Sequence, residues 1–296
     1  MKWIIDEEEA GMSIRDFLRD IGGLSRRILI AAKSEDGKIL LNGEKVTVRG
    51  SLSSGDVLEV KLPPEPISKW LFPEKLDIPI IYEDDAVLVL NKPAGMPTLP
   101  SPLHKSGTVA NGLLAHYEKI GNPNTIHIVT RLDKDTSGLI LIAKNRLSHS
   151  LLAKSQKQFE VHRKYQAIVE GILKDEHGKI DAPIGRKPGS IVEREVTPEG
   201  MPARSNYQVI QRLSNHTLVE VELETGRTHQ IRVHFSYLNH PLLGDDLYGG
   251  KKEHLNRQAL RCHKLTFTHP FTKEVHQLHV DLPVDMKTTI EKLSEV

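Results

Sequence analysis

The feature that most constrains this chain is a charged loop enclosed by two apolar segments. Residues 139–143 are five consecutive apolar, mostly branched side chains, which predict a strand buried on both faces. Residues 126–129 predict a second strand, and residues 130–138 between them carry two acids, two bases and several hydroxyls. A rigid strand pair can hold a carboxylate of such a loop in a fixed position. The alternative is a solvated turn with weak surface salt bridges.

Composition limits the class of protein. The 296 residues, 38% hydrophobic and 27% charged, are typical of a globular chain of one large domain or two. No apolar run approaches 18 residues, and the N-terminus turns acidic at once, so we expect neither a membrane span nor a signal peptide. The single cysteine, Cys262, excludes an internal disulfide and favours a reducing cytoplasm. We interpret it as a structural residue.

Charge is uneven along the chain. The net charge is only +1, but residues 144–165 carry six Lys or Arg against one acid. Residues 251–264 carry five against one. Such clusters can neutralise phosphates, although two ordinary solvated helix faces would give the same pattern.

The first sixty residues predict a compact unit of two helices, a hairpin and a strand. Ser13 and Ser25 are each placed to cap a helix. Asn42 and Gly43 form a strong tight-turn signal, and residues 57–61 alternate as a strand. A proline cluster at residues 63–66 then favours an extended linker.

This order of elements resembles the S4 RNA-binding domain, as do the short motifs at residues 24–27, 42–43 and 55–57. The resemblance implies that the second helix faces RNA through Arg26, Arg27 and Lys33. The alternative is a small β-rich module that binds protein. We divide the chain into an S4-like domain (residues 1–62), a linker (63–77) and a catalytic domain (78–296).

Two motifs in the long second part point to chemistry. Arg131-Leu132-Asp133, followed by residues 136–139, resembles the signature of the RluA-type RNA pseudouridine synthases. Residues 224–235 resemble that family's second motif, and the resemblance extends over residues 78–283. One departure is Thr130, where the family usually has histidine before the arginine. A threonine can still donate and accept hydrogen bonds.

The resemblance implies roles for named side chains. Asp133 would be the catalytic carboxylate, Arg232 its charge partner and Tyr165 the ring that packs on the target uracil. Ile231 would line the uracil pocket, and Arg131 would fill the space left by a flipped-out base. From spacing, Thr228 is a plausible cap of a helix on which His229 and Arg232 share a side. We include His229 among the substrate-binding residues.

The sequence thus predicts an α+β protein: a pseudouridine synthase fold with a mixed, largely antiparallel sheet and flanking helices, preceded by the S4-like domain. The expected reaction isomerises uridine in structured RNA, most readily large-subunit ribosomal RNA and alternatively transfer RNA. Neither metal-ligand spacing nor a nucleotide-binding motif is found, so we expect no metal and no cofactor. A cytoplasmic monomer without membrane partners is expected.

Two other functions stay open at this point. A non-catalytic RNA-binding protein would use the S4-like domain and the basic clusters alone. A two-carboxylate glycoside hydrolase would use Asp133 and Asp135, which share a face if the segment is extended, but the two carboxyls would then project together instead of flanking a sugar.

Overall fold

The computed structural model describes residues 1–102 and 104–294. Its elements follow in chain order: β1 (Lys2–Ile4), α1 (Ile14–Asp20), α2 (Arg26–Ala32), β2 (Lys38–Leu41), β3 (Glu44–Lys45), β4 (Val57–Lys61), β5 (Ile80–Glu83), β6 (Val87–Lys92), α3 (Val109–Ile120), β7 (His127–Ile128), β8 (Ser137–Ala143), α4 (Arg146–Lys157), β9 (His162–Glu170), β10 (His177–Asp181), β11 (Ile184–Arg186), β12 (Arg194–Val196), β13 (Arg204–Arg212), β14 (His216–Leu223), α5 (Gln230–Tyr237), a 3-10 turn (Asp246–Tyr248), β15 (Leu260–Thr268), β16 (Val275–His279) and α6 (Val284–Ser294).

A large mixed sheet forms the centre of the molecule. Its strands run in the order β10-β13-β14-β9-β15-β8-β6-β5, with β16 paired to β15 and β7 to β8. Strands β8 and β15 pair in parallel, while the other pairings described for this sheet are antiparallel. The predicted α+β class and the mixed, largely antiparallel sheet are therefore confirmed.

Strand β8 is the most enclosed element, because all seven of its residues are buried. It pairs with β6 on one side, β15 on the other and β7 at its end, so the predicted strand pair around the charged loop is confirmed. Gly138, the second residue of the strand, has φ of 115°, and a Cβ there would lie 2.1 Å from the carbonyl oxygen of Cys262. Only glycine permits this close approach of β8 to β15.

Four of the helices begin with a side-chain cap, and Ser13 and Ser25 are capping residues as predicted. Ser13, Ser25, Thr108 and Asn145 each accept a hydrogen bond from a backbone N–H of the first turn. The apolar spacing predicts a helix capped by Thr108 that runs through Ala115 and another over about residues 146–157. Helix α4 has these bounds, whereas α3 extends past Ala115 to Ile120. Among the residues that the model describes, no helix has the length and apolar character that crossing a membrane requires.

Residues 1–61, the N-terminal unit, form a four-stranded sheet in the order β1-β4-β2-β3 with α1 and α2 packed on it. The predicted order of two helices, a hairpin and a strand is confirmed, and β1 is an additional strand that the sequence did not indicate. The core of this unit includes Leu147 of α4 and is contacted by Leu151. The unit therefore packs directly against the helix that flanks the central sheet.

The proline-rich segment after the N-terminal unit is held by side chains of the second part. The Glu65 carboxylate lies 2.8 Å from Nε2 of His127 and accepts a hydrogen bond from the backbone N–H of Arg146 at 3.1 Å. Further along, Asn111 donates to the Phe72 carbonyl at 2.9 Å. The segment has no helix or strand and turns at residues 68–71, and its polar contacts attach it to the sheet and helices that follow.

Candidate active site

A cavity of about 650 Å³ opens on one face of the central sheet. Its walls come from segments distant in the chain: the loop before β8, strand β9, the segment that leads into α5, and a loop around Thr98. Asp133, Arg131, Tyr165, His229, Ile231 and Arg232 all line it. The fold thus brings together all six residues predicted for this site from the long second part.

The loop that carries Asp133 is fixed by backbone contacts on both sides. Thr98 donates to the Leu132 carbonyl at 2.9 Å, and the Lys92 ammonium donates to the Lys134 carbonyl at 2.7 Å. Thr130 is 1% exposed, and its hydroxyl accepts a hydrogen bond from the backbone N–H of Leu141 at 2.9 Å. Threonine at this position therefore anchors the loop to β8.

Arg232 is the charge partner of Asp133. Its Nη1 lies 3.3 Å from Oδ2 of Asp133, and its side chain is almost fully buried, whereas the Asp133 side chain is 28% exposed toward the cavity. Burial disfavours the charge of Arg232, but the Asp245 and Asp133 carboxylates outweigh this and hold its pKa above the ordinary value. The pair places a fixed positive charge beside an accessible carboxylate.

Asp245 was not predicted and makes the stronger contact with Arg232. Its two oxygens accept from Nε and Nη2 at 2.7 and 2.8 Å, and it is 1% exposed. Such a bidentate pair fixes the plane of the guanidinium and aims its remaining edge at Asp133. The sequence signal was available, since a buried arginine requires a carboxylate partner, but the spacing of thirteen residues did not identify which one.

The start of helix α5 differs from the prediction. The cap residue is His229 and not Thr228; it adopts a left-handed conformation with φ of 58° and makes no side-chain capping bond. Instead, the side-chain oxygen of Gln230 accepts from the Arg227 N–H at 2.9 Å and from the Thr225 hydroxyl at 2.8 Å. These bonds fix the turn before the helix and do not replace the predicted cap, which would accept from an N–H of the first helical turn.

The His229 ring lies between the cavity and a tyrosine. Its Nδ1 is 2.7 Å from the Tyr248 hydroxyl, while Nε2 is 3.9 Å from Oδ2 of Asp133. Burial lowers the pKa of His229, against the raising effect of Asp133, which favours the neutral ring. The Tyr248 ring also covers Arg232, with the guanidinium carbon 4.9 Å from its centroid.

Tyr165 and Ile231 give the cavity an apolar wall. They are 4% and 3% exposed, and burial raises the pKa of the Tyr165 hydroxyl, which therefore stays protonated. Tyr165 pairs with Cys262 across β9 and β15. Cys262 is fully buried and burial raises its pKa to about 12, as expected for a structural thiol.

Other predicted residues lie elsewhere. Asp135 is absent from the cavity lining, and the Arg257 guanidinium donates to its backbone carbonyl. Arg26, Arg27 and Lys33 are exposed on and just after α2 of the N-terminal unit, outside the cavity. Within residues 1–102 and 104–294, no group of three or more metal-ligating side chains is arranged to hold an ion.

The charge of the cavity is strongly positive. Among its described lining residues Asp133 is the single acid, against four arginines at positions 131, 163, 227 and 232. Asp245 and Asp133 neutralise Arg232, so three guanidinium groups remain to attract an anionic ligand.

The chain is similar in sequence to known proteins. The family model of the RNA pseudouridylate synthases matches residues 86–237, which include Asp133, Tyr165 and Arg232. The uncharacterized RNA pseudouridine synthase YjbO of Bacillus subtilis is 46% identical over 280 residues, covering 95% of this chain and 99% of that protein. The ribosomal large subunit pseudouridine synthase D of Vibrio parahaemolyticus is 40% identical, covering 87% and 83%.

Solved structures agree in fold. The human RNA pseudouridylate synthase domain containing 4 superposes with a TM-score of 0.61 at 22% identity, covering 73% of this chain and 92% of that one. The family model spans more than half of the chain, and relatives above 30% identity span nearly all of it. The chain therefore belongs to the RNA pseudouridylate synthase family and is an isomerase that forms pseudouridine in RNA.

Proposed function

We propose that this enzyme isomerises specific uridines of large-subunit ribosomal RNA in the cytoplasm, with Asp133 as its catalytic residue and without a cofactor. The choice of RNA is supported by relatives such as that of Vibrio parahaemolyticus, which is named for the ribosomal large subunit. The choice of Asp133 is supported by its place in the cavity, 3.3 Å from the buried Arg232.

The reaction needs few groups. The N1–C1′ bond of the uridine breaks, the uracil turns, and C5 bonds to C1′ while the proton of C5 leaves and N1 gains one. Nothing is oxidised or hydrolysed. An ionised carboxylate near C1′ can act on the sugar, act on the base or accept a proton, and all three routes require Asp133 to keep its charge. Arg232, held by Asp245, places the opposite charge 3.3 Å from this carboxylate.

The apolar wall fits a flipped-out uracil. A planar base that has left its stack requires an aromatic or aliphatic surface to replace its neighbours. Tyr165 and Ile231 offer this surface beside Asp133. Arg131 lines the cavity and is exposed, a position from which its side chain could fill the gap that the base leaves.

We further propose that residues 1–62 are an S4-like RNA-binding domain that holds the substrate through Arg26, Arg27 and Lys33. These side chains are exposed on the unit that packs against α4. The end of α4 carries Lys154 and Lys157, and Gln156 between them lines the cavity. A basic surface that runs from α2 along α4 would guide a phosphate backbone toward Asp133.

The first experiment is pseudouridine mapping of total RNA from cells with and without this gene, by carbodiimide modification and primer extension. We expect one or a few uridines of the large-subunit ribosomal RNA to lose their signal in the deletion. Loss of the pseudouridine signal in transfer RNA only would make transfer RNA the substrate in place of ribosomal RNA. No loss in any RNA, together with no product from purified enzyme on bulk RNA, would leave only RNA binding.

A further inference from the structure

Arg163, on strand β9, lines the cavity and is not among the residues that the proposed reaction uses. It lies two residues before Tyr165, so both side chains are on the same face of the strand. Its Nη1 is 3.5 Å from the Tyr165 hydroxyl, and the same guanidinium approaches the backbone at Gly226. Arg163 is therefore placed beside the apolar wall and across from the loop that carries Asp133.

The charge of Arg163 is not neutralised by the protein. No carboxylate among residues 1–102 and 104–294 forms a salt bridge with it, whereas the next residue, Lys164, pairs with Glu220 at 2.7 Å. The one acid that lines the cavity, Asp133, is engaged by Arg232. A half-buried guanidinium without a counter-charge favours an anionic group of a ligand.

A uridine nucleotide offers one such group. Its base and ribose are neutral, and the phosphodiester carries the full negative charge. Arginine suits this group because its planar fork can bind two phosphate oxygens at once. Of the three lining arginines without a carboxylate partner, Arg131 is exposed and Arg227 donates through Nε to the Pro202 carbonyl. Arg163 is the one adjacent to the wall on which the uracil would lie.

We infer that Arg163 binds the phosphodiester of the target uridine itself and so fixes the ribose over Asp133. This inference rests on the proposed function, since it requires a flipped-out uridine in the cavity. Arg163 would then touch the substrate without touching the bonds that change. Its removal should weaken productive binding more than it slows the chemical step.

Gly226 supports this placement. A Cβ at Gly226 would lie 3.0 Å from Nη2 of Arg163, tighter than ordinary contacts, so even alanine would displace the guanidinium. Gly226→Ala therefore keeps the charge of Arg163 but moves it. The variant separates a requirement for position from a requirement for charge alone.

The test uses the full-length enzyme and a large-subunit ribosomal RNA transcript labelled with tritium at C5 of uridine, since pseudouridine formation releases that tritium. Arg163→Gln should raise KM by about tenfold, the loss of one charge-assisted contact, and lower kcat by less. The slope of log KM against log salt should become shallower by about 0.7, the share of one phosphate on a single strand. Arg163→Lys should recover part of the affinity, and Gly226→Ala should also raise KM.

The matched control is Lys164→Gln, on the same strand but on its opposite face and paired with Glu220. It should leave the salt slope unchanged. Ethylation interference locates the contact: in wild-type enzyme, ethylation of the phosphate beside the modified uridine should block turnover, and Arg163→Gln should abolish this single effect. An identical interference pattern in both enzymes would overturn the inferred phosphate contact of Arg163 and leave the proposed function intact. Absence of product from wild-type enzyme on every RNA would overturn the proposed function.

Discussion

The arrangement of single residues at the site places a carboxylate beside both a buried guanidinium and an apolar wall. Arg232 is almost fully buried, a location that disfavours any charge unless it is paired. Asp245 provides that pairing with both oxygens, while Asp133 meets only one edge of the guanidinium at 3.3 Å. Asp133 therefore gains a positive neighbour yet keeps an oxygen accessible to the cavity.

Asp245→Asn tests this division of labour. The change leaves the shape of the site but removes the main counter-charge of Arg232, so we expect unfolding free energy to fall by about 3 kcal/mol. We also expect kcat to fall by tenfold or more, because the guanidinium loses its fixed plane. Urea unfolding and tritium release measure the two effects. Asp246→Asn, next in sequence but exposed, is the control and should be neutral in both.

For single residues, the sequence predicted which side chains lie at the site better than it predicted which side chains pair with them. Short motifs identified Asp133, Arg232 and Tyr165, and the structure places all three at one cavity. Asp245 was not predicted from the sequence, since contact between a helix residue and a later loop depends on the path of the chain. The phosphate-binding role inferred for Arg163 was not predicted either, because only the structure shows that the described residues provide no carboxylate partner for its guanidinium.

At the scale of elements, the end of β6 holds the loop that carries Asp133. The fully buried Lys92 ammonium donates to the carbonyls of Pro93, Met96 and Lys134 at 2.7 to 2.9 Å. Burial lowers the pKa of Lys92 to about 7, against the fields of Asp135 and Asp133. Only the charged form has three N–H donors, so it is the form that can satisfy all three carbonyl acceptors.

Lys92→Met should therefore loosen the loop that carries Asp133. Three carbonyls would lose a donor, and we expect a loss of about 3 kcal/mol in unfolding free energy. Activity should fall as well, although Lys92 lies outside the cavity lining. Lys134→Met is the matched control, since that exposed lysine accepts the Lys92 hydrogen bond only through its backbone carbonyl. Equal stability of both variants would contradict a stabilising role for the Lys92 hydrogen bonds.

Element boundaries show where local sequence rules suffice. Asn145 caps α4 through its side chain, and the predicted bounds of that helix are correct. Helix α5 departs from the rule because His229 turns into a left-handed conformation that aims its ring at Asp133. Such a strained residue at a helix start is maintained by contacts around it, here the Tyr248 hydroxyl at Nδ1, and not by its own propensity.

At the scale of the whole molecule, Glu65 joins the proline-rich segment to the second part. Burial works to raise the pKa of this carboxyl, but His127 and Arg146 outweigh it and lower the pKa below the ordinary 4.5. A carboxylate with a lowered folded-state pKa contributes stability that is complete above pH 4.5. This contribution is lost as the pH falls through the folded-state value.

Glu65→Gln should accordingly matter at neutral pH and less in acid. We expect the variant to lose about 2 kcal/mol of unfolding free energy at pH 7, and the gap to wild type to narrow toward pH 4. Urea unfolding at both pH values gives the comparison. Glu44→Gln, on exposed strand β3, should show no gap at either pH. A gap that widened in acid would have the wrong sign for this contact.

The N-terminal unit should affect substrate binding and not chemistry. Its deletion would expose Leu147 and Leu151, so substitution is the cleaner test. Changing Arg26, Arg27 and Lys33 together to glutamine should weaken RNA binding and reduce the salt slope by about 2, with kcat unchanged. Arg19→Gln is the control, since Arg19 is already paired with Asp16 and Asp20. Unchanged affinity in the triple variant would remove the unit from RNA recognition.

The most direct test of the account is single-turnover tritium release by purified Asp133→Asn enzyme on large-subunit ribosomal RNA, beside wild type and Asp135→Asn. We predict that Asp133→Asn loses turnover by about a thousandfold or more while RNA binding stays within a few-fold. Asp135→Asn, whose residue is absent from the cavity lining, should stay near wild type. A near wild-type rate for Asp133→Asn would contradict the assignment, and an inactive Asp135→Asn would revive a mechanism with two carboxylates.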